Sequence, residues 1–123
     1  MEIVLYKREL EVMQILWAGG AATVAEVREA IEDEVAYTTV LTVLRRLEEK
    51  GFVTHQEEGR AHRYIPLIEP LQARASALEQ LTRKLFGGST ELLLTHLVSS
   101  EKLSLPELRR LRALLDDHLE EES

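Results

Sequence analysis

Three short apolar patterns at helical spacing, each with its own start or stop signal, are followed in this chain by two extended runs around one glycine. Few folds accept that order. The first pattern, about Lys7 to Ala18, carries Leu10, Met13, Leu16 and Trp17 and stops at Gly19-Gly20. Thr23-Val24-Ala25-Glu26 is a capping box: the hydroxyl takes a backbone N–H while the Glu side chain reaches back. It predicts a second helix to about Glu32, with Val24, Val27 and Ile31 inward. After a connection from Asp33 to Ala36, a third helix is predicted from about Thr38 to Lys50, ended by Gly51 at the left-handed cap position. Phe52 to Gln56 and His62 to Pro66 then read as strands, joined by the polar tip Glu57-Glu58-Gly59-Arg60-Ala61. Three helices and a hairpin make a winged helix-turn-helix head, set here at residues 1–68.

Residues 69–123 read as a separate helical dimerisation region, so the fold class is mainly α with a small β-hairpin wing. Pro70 opens a helix in which Leu71, Leu78 and Leu85 repeat every seven residues with Leu81 between them, a stripe suited to a partner helix. Gly87-Gly88 breaks it, and Ser89 or Thr90 caps a leucine-dense helix to about Val98. Ser104-Leu105-Pro106-Glu107 is a second capping box, starting a last helix that carries Leu108, Leu111, Leu115 and Leu119 and ends in an acidic, solvated fray at Glu120-Glu121-Glu122. About 50 residues in three short helices bury little alone. A homodimer pairing two such tails accounts for the surplus leucine, the bland alternative being a tail folded back on its own head, and DNA readers of this plan pair to span two half-sites.

The third helix projects two faces. Val40, Val43, Leu44 and Leu47 form the inner one; Thr38, Thr39, Thr42, Arg45, Arg46 and Glu49 form the outer one, with Leu41 on the flank. Threonine is a mediocre helix former, and three on an exposed face are costly unless they contact something. Against double-stranded DNA each offers a hydroxyl and a methyl, and the arginines offer forks for guanine or phosphate. Arg60 at the hairpin tip, with His62 and Arg63 after it, fits a wing that touches phosphates without reading sequence. A solvated helix face with Thr38 as a simple N-cap, and a soluble turn around Arg60, are the bland alternatives.

Charge argues the other way. The chain of 123 residues carries a formal net charge of −7 at pH 7, whereas a DNA binder is expected to show a basic footprint. Residues 1–68 hold 8 basic against 12 acidic side chains and residues 69–123 hold 7 against 10, so neither half is basic. Residues 37–66 are the least acidic stretch, with Arg45, Arg46, Lys50, Arg60 and Arg63 against Glu48, Glu49, Glu57 and Glu58. A winged helix used as a protein-interaction module suits the acidity better, yet such a module tends to expose apolar anchors where this helix shows threonine and arginine.

Other chemistry is poorly supplied. Without cysteine there is no disulfide framework, thiolate nucleophile or cysteine-based metal site. His55 and His62 face each other across the predicted hairpin, but two imidazoles make a poor metal site. Asp117-His118 beside Glu121 has no supporting nucleophile, and no phosphate loop or nucleophile elbow occurs. The expectation is a non-enzyme without cofactor. No apolar run approaches the roughly 18 residues of a membrane span and no secretory signal pattern is present, so a cytoplasmic protein without membrane insertion is expected.

"LEVMQILW", "YTTVLTVLRRLEEKGFV" and "GRAHRYIPL", continuing through "KLFGG" and "LPELRRLRALLDD", resemble the penicillinase-repressor (BlaI/MecI) family of winged-helix transcriptional repressors over nearly the whole chain. The resemblance implies a homodimer on an inverted-repeat operator, with Thr38, Thr39, Thr42 and Arg46 in the major groove and the C-terminal helices interlocked. Some relatives carry a basic residue where this chain has Leu41. Members that answer to β-lactams are released by a membrane sensor metalloprotease system that cuts an Asn-Phe bond after the Gly-Gly break. The corresponding place here is His96-Leu97, so that cleavage rule does not transfer directly. Copper-responsive relatives use C-terminal cysteines, which this chain lacks.

Overall fold

The structure, a computed structural model, describes residues 1–100 and 102–123 and divides into two units, Met1–Gln80 and Leu81–Ser123. In the first unit α1 (Lys7–Gly19), α2 (Val24–Ala30) and α3 (Tyr37–Glu49) are followed by the hairpin of β2 (Val53–Glu58) and β3 (Ala61–Pro66). Their inward faces make one core: Val12, Met13 and Leu16 from α1, Val24 and Val27 from α2, and Val40, Val43, Leu44 and Leu47 from α3. Phe52, Val53, Tyr64 and Ile68 close it from the hairpin side. Leu10, expected to point inward, is exposed; Val12 takes the inward place, and Trp17 is half-buried with its indole N–H donating to the Ile68 carbonyl at 2.7 Å.

A strand not foreseen completes the sheet. β1 (Ala22–Thr23) pairs antiparallel with β3, giving the order β1-β3-β2 with Ala22 opposite Tyr64 and Thr23 opposite Arg63. Two residues are too few to show alternation, which is why periodicity missed it. Thr23 then serves α2 as well: Glu26 N–H donates to its Oγ1 at 3.2 Å and its own N–H donates to Glu26 Oε1 at 2.8 Å. That helix stops at Ala30, two residues short of the expected end, because Ile31 turns extended to place its side chain in the core.

The wing is tighter than the five-residue tip expected. Its ladder runs from Val53 opposite Pro66 to Glu58 opposite Ala61, leaving only Gly59 and Arg60 as the loop. Gly59 has φ +64 and Arg60 does not have positive φ, the pattern of a type II′ turn whose twist matches its strands.

After the hairpin, the first half of α4 (Pro70–Leu85) belongs to the same unit. Buried Ser76 accepts the Ile3 N–H at 2.8 Å, while the Gln80 amide donates to the Ile3 carbonyl at 3.0 Å. Both backbone groups of Ile3 are thereby satisfied by helix side chains instead of a ladder.

The second unit holds the end of α4, α5 (Thr90–Ser100) and α6 (Leu105–Glu122). Ser89 caps α5 by accepting Leu92 N–H at 3.0 Å, and Ser104 caps α6 by accepting Glu107 N–H at 3.2 Å. Leu93 is buried, but α6 has no buried residue. The acidic terminus expected to fray stays helical through Glu122.

Candidate nucleic-acid interface

The inner and outer faces of α3 fall where the helical projection puts them: Val40, Val43, Leu44 and Leu47 are buried, whereas Thr38, Thr39, Thr42, Arg45, Arg46 and Glu49 are exposed. The helix begins at Tyr37, one residue before the expected start, so Thr38 lies inside the first turn and is not its N-cap. The N-cap is Ala36, which has no side-chain oxygen. The N–H groups of Tyr37 and Thr38 therefore meet no acceptor among the described residues, and a helix start of this kind attracts phosphate. Thr42 donates its hydroxyl proton to the Thr38 carbonyl at 2.8 Å, which leaves that oxygen as an acceptor and its methyl as an apolar contact.

The four arginines named from the sequence are held very differently. Arg45 and Arg60 are exposed and make no ion pair among the described residues. Arg63 is half-buried and shared between two carboxylates, with Nε on Glu58 Oε2 at 2.6 Å and Nη1 on Glu26 Oε1 at 2.9 Å. It ties the wing to α2. Arg46 keeps about half its side chain in solvent, at 48%, but its Nε donates to Glu9 Oε2 at 3.2 Å.

Glu9 was not singled out by the sequence patterns. It lies in the first turn of α1 with 0% exposure, and its carboxylate gathers three donors. Tyr6 N–H reaches Oε1 at 2.9 Å and Lys50 Nζ reaches the same oxygen at 2.8 Å, with Arg46 on the other oxygen. Burial pushes the carboxyl pKa up; the hydrogen bonds from Lys50, the Tyr6 N–H and Arg46 outweigh it, so it sits below its ordinary value. Lys50 also lies 4.7 Å from the Tyr6 ring centroid. One buried acid thus joins the start of α1 to the last turn of α3.

On its opposite flank α3 meets the wing. Glu48 accepts from His55 Nδ1 at 2.7 Å, and the His55 ring stacks on His62 at 4.4 Å between centroids. Burial raises the pKa of Tyr64 beneath them, with Glu48 acting the same way. Among the described residues no group of three or more His, Asp or Glu is arranged to hold a metal ion.

Leu71, Leu78, Leu81 and Leu85 are all exposed, from 40% to 74%. Leu108 is half-buried, and Leu111 and Leu115 are exposed. His96 and Leu97 lie within α5, both exposed, with the His96 ring edge-on to Phe86 at 5.9 Å. No helix among the described residues is long and apolar enough to cross a membrane.

Glu9, Lys50 and Glu48 thus belong to the frame of the site, although Lys50 and Glu48 had been counted only as charges and Glu9 had not been singled out. The one local signal for Glu9 is its place three residues after Tyr6, where an acid reaches back to the helix start; its partners lie 37 and 41 residues away.

The family model described as penicillinase repressor matches residues 5–117. The chain is 36% identical over 111 residues to the transcriptional regulator BlaI of Mycobacterium tuberculosis (strain CDC 1551 / Oshkosh), covering 87% of this chain and 79% of that one. It is 27% identical over 110 residues to the methicillin resistance regulatory protein MecI of Staphylococcus aureus (strain N315), covering 88% and 89%. Among solved structures, the DNA-binding domain of the repressor BlaI aligns with a TM-score of 0.50 and 31% identity over 57% of this chain and 90% of that one. A MarR family protein from Bacillus stearothermophilus aligns over 98% of this chain and 78% of its own at TM-score 0.54 and 20% identity, a likeness of fold. The winged head, its threonine-faced third helix and the match across residues 5–117 agree, and the chain belongs to the penicillinase-repressor family.

Proposed function

We propose that this DNA-binding transcriptional repressor acts as a homodimer on an inverted-repeat operator, in the cytoplasm and by occupancy, not catalysis. The observation that carries the reading is the outer face of α3. It presents Thr38, Thr39 and Thr42, an Arg45 with no ion pair among the described residues and uncapped first-turn N–H groups, which together match the hydroxyl, guanidinium and helix-end chemistry of a major-groove reader. Arg60 at the tip of the wing supplies a phosphate contact. Dimerisation is supported by the exposed leucines of α4 and by an α6 with no buried residue, surfaces that a second copy would cover.

Release by a membrane sensor metalloprotease would act on α5, where His96-Leu97 stands inside a helix whose backbone must open before a protease can bind it. The test of the reading is an electrophoretic shift with DNA upstream of the chain's own gene. A salt-sensitive, sequence-selective shift by a species sedimenting as a dimer is expected. A shift indifferent to sequence at every nearby promoter would sink it.

A further inference from the structure

We propose that Glu9 is a positioning residue for sequence reading: it holds the guanidinium of Arg46 by Nε and so sets the fork that Arg46 presents to the edge of a guanine. The proposal rests on the reading that the outer face of α3 enters the major groove.

A carboxylate with no solvent exposure needs compensation, and Lys50 at 2.8 Å with the Tyr6 N–H at 2.9 Å already provides a full charge and a second donor. Arg46 is the additional partner, and its attachment differs. Lys50 Nζ is committed to Glu9, the Val4 carbonyl at 3.4 Å and the Tyr6 ring. Arg46 gives Glu9 only Nε, and its Nη1 and Nη2 groups bond nothing among the described residues while 48% of the side chain stays in solvent. Its place on α3 is four residues after Thr42 and seven after Thr39, on the same outer face. The arrangement is a charged fork held from behind on the face that carries the threonines.

Holding matters because a free arginine loses rotamer freedom when it docks, and its planar donors reward only one orientation. A fork fixed before binding favours paired acceptors such as guanine O6 and N7 over a phosphate met at any angle. Since Lys50 answers the charge of Glu9, Arg46 remains attractive to DNA. In an acidic molecule this is a way to gain selectivity without adding a cation.

The test uses the full-length protein and a duplex enriched from a randomised pool by the wild type, with a scrambled duplex of equal composition. Kd is measured over a salt series for wild type, Glu9→Gln, Arg46→Ala, Arg46→Lys and the Glu9→Gln/Arg46→Ala double variant. Glu9→Gln is expected to weaken the enriched duplex about tenfold, to change the scrambled one by less than about twofold, and to leave the salt slope unchanged. In the Arg46→Ala background it should add nothing. Arg46→Lys keeps the charge and loses the fork, so discrimination should fall while the salt slope holds. Equal losses on both duplexes, or the same loss in the Arg46→Ala background, would make Glu9 merely structural and overturn the proposal. Full discrimination by Arg46→Lys would overturn it too, even if Glu9→Gln does not fold. If the wild type enriches no duplex, the DNA-reading assignment itself falls, a result distinct from those.

Discussion

At the residue scale, four arginines that look alike in the sequence have separate duties. Arg45 and Arg60 have no ion-pair partner among the described residues, Arg46 is braced by Glu9, and Arg63 is spent between Glu58 and Glu26. Arg45→Ala is therefore expected to weaken binding to specific and scrambled duplexes alike and to reduce the salt slope by about 1, as loss of a phosphate contact does. Equal slopes in a salt titration of variant and wild type would contradict that. Arg63→Ala should lower affinity less, since its guanidinium faces carboxylates; fluorescence anisotropy on one duplex compares the two directly. Glu9 also makes a pH prediction. Its folded pKa is depressed, so the stability it contributes is present above its unfolded value near 4.5 and is lost as pH falls through the lower folded value. Urea midpoints followed from about pH 6 to about pH 3 should fall more steeply for wild type than for Glu9→Gln. Parallel curves would show that Glu9 does not titrate as an ion pair.

At the scale of elements, short pieces are fixed by single residues that serve two neighbours. Thr23 ends β1 and caps α2, so Thr23→Ala removes a cap and is expected to cost about 1 kcal/mol in chemical denaturation. Gly59 is the left-handed position of a two-residue turn, and Gly59→Ala is expected to cost about 1 kcal/mol by the same measurement. A neutral result at Gly59 would mean that the wing tip relaxes without strain. The wing and α3 are also coupled, because Glu48 holds His55 against the stacked His62. The reading helix is thereby gripped on both flanks, by Glu9 on one and by the wing on the other. That grip is what a small head needs if a few contacts are to carry recognition.

At the scale of the molecule, the first half of α4 belongs with the head and the exposed leucines ask for a second copy. A fragment ending at Gln80 retains Ser76 and Gln80 on Ile3, whereas one ending at Ile68 frees the N-terminal segment. The longer fragment is expected to melt about 5 °C or more above the shorter, since roughly 1 kcal/mol moves a domain of this size by that amount. Both should be monomers with much weaker operator binding than the full chain. A fragment ending at Gln80 that sedimented as a dimer would show that the α4 leucines it retains, Leu71 and Leu78, pair without α6.

Much of this was legible in the residues themselves. Helices announced by capping boxes, glycine stops and 3.6-residue periodicity need only local interactions, so α1 to α6 and the hairpin could be read within a few residues of their bounds. So could the outer face of α3, because a helix projects its own faces. Three things waited for the tertiary structure. β1 is too short for a pattern and exists only because β3 lies beside it. The turn tightened to Gly59-Arg60 because ladder pairing continued to Glu58 and Ala61. The duties of the arginines depended on Glu9, Glu26 and Glu58, two of which lie 37 residues from the arginine they hold. Local sequence sets which side chains a helix can offer; partners brought together by the fold decide which of those are left to meet DNA.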